Sequence, residues 1–84
     1  MAEIKEKIKQ AIEQDYGKIE SIKYRQDPQV ADCWAMRVDF GDRVVDFLAT
    51  HTRSEHTAED IAYQCIEEVE FEKWPPTSGE LQFF

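Results

Sequence analysis

Glycine and proline are scarce here, three of each in 84 residues, and the chain has no internal repeat and no low-complexity segment. That excludes collagen-like and Pro/Gly-rich linker sequences. The two cysteines, Cys33 and Cys65, stand far apart and form no C-x-x-C pair. A redox dithiol or a zinc site would advertise itself by such a short spacing. The opening, MAEIKEKIKQAIEQ, has no apolar run, because a charge falls at every second or third residue. It reads as neither a secretory core nor a membrane span, and the expectation is a cytosolic protein with two reduced thiols and no membrane association.

Positive charge is scarcest toward the end of the chain. Six bases face five acids over residues 1–26, three face five over 27–53, and Lys73 alone faces eight over 54–84, which together make the formal net charge of −8. An acidic surface disfavours direct nucleic-acid and anionic-lipid binding, and it attracts basic partners over a Debye length, about 8 Å at physiological ionic strength. What the chain does have is apolar material: 42% of its residues are hydrophobic and 12% aromatic. That is enough for one folded domain, and 84 residues leave no room for a second.

Periodicity places the elements. Ile4, Ile8, Ala11 and Ile12 recur at the helical period and Gly17 follows as a C-cap, so residues 3–16 read as an amphipathic helix. Ile22 and Tyr24 then alternate with Ser21, Lys23 and Arg25, the pattern of a strand with a basic exposed face. Asp27-Pro28 marks a turn. Trp34, Met36, Val38 and Phe40 alternate with Cys33, Ala35, Arg37 and Asp39, and Val45, Phe47 and Ala49 alternate with Val44, Asp46 and Leu48. Gly41-Asp42 between these two runs predicts an antiparallel hairpin. The run His51–His56 is polar and aperiodic, hence a loop. Thr57 is a candidate N-cap, with Glu59 and Asp60 at the positive end of a second helix. The stripe Ala58, Ile61, Ala62, Cys65 and Val69 carries that helix to about Glu70, before Pro75-Pro76 stops it.

The expected architecture is an α+β fold: a helix, a three-stranded antiparallel meander, a second helix, and an extended C-terminal tail with room for a further short strand. Residues 1–74 form the single domain and 75–84 a Pro-containing apolar tail. The same order of elements occurs in the double-stranded RNA-binding domain. Such a domain needs lysines at the start of its second helix to meet phosphates, and Glu59 and Asp60 stand there instead, so the RNA-binding activity does not carry over.

No constellation of catalytic chemistry emerges. His51-x4-His56 spans a loop without a neighbouring cysteine, so no metal and no cofactor is expected. Cys65 falls on the apolar stripe and Cys33 beside Asp32, where a nucleophilic thiolate is disfavoured. Asp39-Phe40-Gly41-Asp42 carries the letters of a kinase magnesium motif without its glycine-rich or catalytic loops, and the glycine is a turn residue. The expectation is therefore not an enzyme; a metal- or thiol-dependent enzyme is the minor alternative.

The feature that stands out is the acidic, aromatic stretch Glu67, Glu68, Glu70, Phe71, Glu72 and Trp74. It reads as a partner-binding region for a protein with a basic surface, the acids steering and the aromatics supplying buried area. The alternative is a nucleic-acid-mimicking inhibitor, such as a phage-encoded one, whose carboxylates stand where phosphates would. Leu81, Phe83 and Phe84 of the tail either complete the core or are displayed for binding. Monomer and homodimer both remain open.

Overall fold

The computed structural model describes residues 4–26 and 32–75 of the chain. Helix α1 (Ile4–Tyr16) is followed by strands β1 (Ser21–Gln26), β2 (Trp34–Asp39) and β3 (Val44–Ala49), helix α2 (Ala58–Gln64) and strand β4 (Ile66–Val69). The strands lie in the order β1-β2-β3-β4, each antiparallel to its neighbour. The fold class is α+β, as the element order implied.

Helix α1 forms where the periodicity placed it, and Ile8, Ala11 and Ile12 are its buried stripe. Gly17 ends it at φ 99°, a left-handed conformation that costs glycine no Cβ clash, and its N–H donates to the Glu13 carbonyl at 3.0 Å. Glu13 then accepts from the Ile19 N–H at 3.2 Å, which sets the path into β1. The β2–β3 hairpin turns over residues 40–43. Gly41 takes φ 97° there, and the Asp39 carboxylate accepts its N–H at 2.8 Å. At α2 the cap is reciprocal. The Asp60 N–H donates to the Thr57 hydroxyl and the Thr57 N–H to the Asp60 carboxylate, both at 3.1 Å. These bonds hold the Asp60 carboxyl below its ordinary pKa.

Strand alternation sorts the sheet into two faces. Ile22 and Tyr24 of β1, Trp34, Met36 and Val38 of β2, and Val45, Phe47 and Ala49 of β3 face the helices, where they meet Ile8, Ala11, Ile12 and Ile61 in the main core. Burying a side chain such as Met36 or Ile61 contributes about 1.5–3 kcal/mol. Among the described residues, the opposite face bears no helix. Across it run the rows Arg25–Ala35–Leu48–Glu67 and Lys23–Arg37–Asp46–Val69, read from the pairing register.

Two expectations need correction. The second helix does not reach Glu70: it ends at Gln64, and Ile66–Val69 forms a fourth strand on β3. A helical Glu67, Glu68 and Glu70 would have stacked three carboxylates at the negative end of the helix dipole, with no base in the last turn to offset them. Ladder bonds to β3 satisfy the same backbone without that repulsion, and the Thr50 N–H donating to the Cys65 carbonyl at 3.1 Å extends the pairing. Among the described residues the sheet therefore has four strands, and the fourth precedes the tail. Of the tail, residues 76–84, including Leu81, Phe83 and Phe84, lie outside the described residues.

The loop before α2 is less plain than its polarity implied. Thr52 is buried, and both its N–H and its hydroxyl donate to the Asp32 carbonyl at 3.0 Å. That pins the start of β2 to the end of β3. Among the described residues no helix is long and apolar enough to cross a membrane.

Candidate functional site

Strand β4 and the segment after it carry every residue of the acidic, aromatic stretch. Register sets which way each one points. Glu67 lies opposite Leu48 on the helix-free face, and Glu68 opposite Phe47 on the helix side. Glu67, Glu68, Glu70 and Glu72 are all exposed, whereas Phe71 and Trp74 are half-buried. Acids and aromatics adjacent in sequence are thus divided in space: the carboxylates face solvent and the rings turn onto the sheet.

One of the four glutamates has an internal partner. The Tyr16 hydroxyl donates to Glu68 Oε2 at 2.8 Å, bridging α1 and β4. Burial, reinforced by that bond and by the carboxylate charge, pushes the Tyr16 phenol up to about 12. Glu67, Glu70 and Glu72, in and just after the same strand, are exposed. Strand β4 is an edge strand, and its four residues include two glutamates. Short, charged edges resist pairing with foreign strands.

The rings cover the helix-free face. Phe71 and Trp74, with centroids 6.0 Å apart, pack with Val69 against buried Cys33, Ala35 and Leu48. Trp74 also stacks on a cation, the Arg37 guanidinium lying 5.3 Å from its ring centre. Arg37 is itself held in a bidentate pair with Asp46, Nε to Oδ1 at 2.8 Å and Nη2 to Oδ2 at 3.0 Å. Those bonds raise the guanidinium pKa further above its ordinary value. This Arg37–Asp46–Trp74 arrangement is the feature that sequence reasoning missed. Its signal was there in the opposite charges on the non-core faces of two strands already expected to pair.

The other candidate groups do not converge. His51 is exposed, and His56 Nδ1 accepts from the Arg53 N–H at 3.2 Å in the loop. Cys33 and Cys65 are both buried, and neither forms a disulfide. Burial, then the charge of Asp60, pushes the Cys65 thiol up. Among the described residues no group of three or more His, Cys, Asp or Glu side chains is placed to hold a metal ion. An open cleft of about 490 Å³ is lined by Trp34, Thr52, Arg53 and Glu55 among others, and it contains the Asp32–Arg53 ion pair at 3.7 Å.

Comparison with known proteins finds no matching family model, no similar protein of curated function and no similar solved structure.

Proposed function

We propose that this protein is a small interaction module of the cytosol, without catalytic chemistry of its own, that docks a basic surface of a protein partner through the β4 margin and the segment after it. The observation that carries this is the placement of Glu67, Glu68, Glu70 and Glu72, all exposed along one margin where Lys73 is the nearest base in sequence. Such a field raises encounter rates and orients a cationic partner. Glu67, Glu70 and Glu72 do the steering, Glu68 being shared with Tyr16. The exposed edges of Phe71 and Trp74 add apolar contact beside the charges.

The test is association kinetics with a basic partner captured from native cytosol, using wild type and a Glu67→Lys, Glu70→Lys variant over a salt series. Slower association of the variant, and of wild type at raised salt, supports the assignment, since rim charges act mainly on the on-rate. Association indifferent to both perturbations would require abandoning it. If nucleic acid competes for the same partner, the carboxylates stand in for phosphates and the protein is a nucleic-acid-mimicking inhibitor.

A further inference from the structure

The helix-free face holds a second apolar cluster that shares no residue with the main core. Cys33, Ala35 and Leu48 are buried there beneath Val69, Phe71 and Trp74, while the main core lies on the far side of the sheet. Among the described residues, the cover beyond Val69 of β4 is one stretch of irregular chain, and it is held down by side chains: the two rings and the stacking of Trp74 on Arg37. We propose that residues Glu70–Pro75 form a strap, clasped by Arg37, which lifts from the sheet as a unit and uncovers Cys33, Ala35 and Leu48 while the main core stays folded. The strap is a property of the fold and holds whatever the acidic margin binds.

Three features make such an opening local. Among the described residues, the apolar contacts it breaks belong to the smaller cluster alone, and segments with few buried contacts open below the free energy of global unfolding. The hinge is defined, because Val69 is paired with Asp46 in the ladder and the regular structure ends there. The Arg37–Asp46 pair also survives opening. Arg37 keeps its bidentate bonds to Asp46 when Trp74 leaves, so no buried charge is stranded and the full penalty of an unsatisfied polar group does not arise. On the opposite flank, Thr52 holds the Asp32 carbonyl independently of the strap, so Cys33 stays in place when its cover lifts.

Cys33 reports the opening and Cys65, in the main core, serves as the internal reference. The full chain is alkylated with iodoacetamide under native conditions, each site is read by peptide mass spectrometry, and each rate is normalised to that in the unfolded chain. Global stability is measured in parallel by urea denaturation. The expected result is that Cys33 in wild type labels faster than global unfolding allows and with weak urea dependence. Trp74→Ala should then raise its rate about tenfold, equivalent to ~1.4 kcal/mol at 25 °C. Arg37→Lys, which keeps a cation for Asp46 and weakens the planar stacking on Trp74, should raise it by a smaller factor, with Cys65 unmoved in both. Should Trp74→Ala unfold the chain, Phe71→Leu is judged by the same criterion. The strap is overturned if Cys33 labels only at the rate set by global unfolding, or if none of the variants changes its rate.

Discussion

Phe47→Ala probes the packing between the sheet and α1. The ring is 0% exposed, meets Tyr16 edge-on at 5.0 Å and Phe40 at 6.4 Å between centroids, and sits across the ladder from Met36, also 0% exposed. Truncating a buried phenylalanine costs about 3–5 kcal/mol in lost transfer energy and residual cavity. Aromatic pairs add about 0.5–1.5 kcal/mol each beyond area, and with two of them the upper end applies, about 5 kcal/mol. A domain of 84 residues, at about 0.05–0.15 kcal/mol per residue, has about 4–13 kcal/mol in total. One substitution should therefore remove at least a third of the stability. Urea unfolding followed by far-ultraviolet circular dichroism is the assay. With a slope of about 1–3 kcal/mol per molar, the midpoint should fall by roughly 2 M or more, or the variant should be unfolded without urea. Tyr63→Ala is the control: its ring is 91% exposed, and the change should stay within about 0.5 kcal/mol. A Phe47→Ala midpoint as close to wild type as that of the control would refute the assignment of Phe47 to the centre of the core.

The fold also predicts an alkaline limit. Tyr16 and Tyr24 are both pushed from 10.0 up to about 12, first by burial, then in Tyr16 by its bond to Glu68 and in Tyr24 by the charges of Glu6 and Glu13. Because the folded state favours the neutral phenols, their contribution is fully present below pH 10 and is lost as pH rises toward about 12. A Tyr16→Phe, Tyr24→Phe variant should lose the late phenolate step seen by absorbance and show a shallower decline in stability over that window; an unchanged decline would point to other groups. At the α2 cap, Thr57→Ala should cost about 1 kcal/mol and lower Tm by about 4–8 °C in calorimetry, whereas a neutral outcome would mean that the capping box leaves α2 no more stable. The glutamate reversals proposed for the β4 margin should leave the urea midpoint nearly unchanged, since exposed charges contribute little to folding.

Much of this protein was legible in its sequence because local physics decided it. Period-3.6 spacing of Ile8 and Ile12 and a glycine at position 17 define α1 without reference to any partner. Strict alternation from Trp34 to Val38 and from Val45 to Ala49, around a glycine that can take positive φ, defines the hairpin. Thr57 and Asp60 cap α2 by bonds between near neighbours. The segregation of acidic charge is a property of composition alone.

Tertiary structure decided the rest. Residues Ile66–Val69 have neither clean alternation nor a turn before them, and the apolar spacing of Ile61, Cys65 and Val69 continues the helical stripe. They are a strand only because β3 offers unpaired backbone groups beside them and a helical end would crowd three carboxylates. The fate of Phe71 and Trp74 follows from that switch. Once β4 joins the sheet, the chain emerges beside Leu48 and Ala35, and the rings close over the face opposite the two described helices. Strand pairing alone sets Arg37 and Asp46 opposite each other under Trp74. Interactions between residues distant in the chain depend on loop closures and registers that no local window contains, so only the folded sheet could place them.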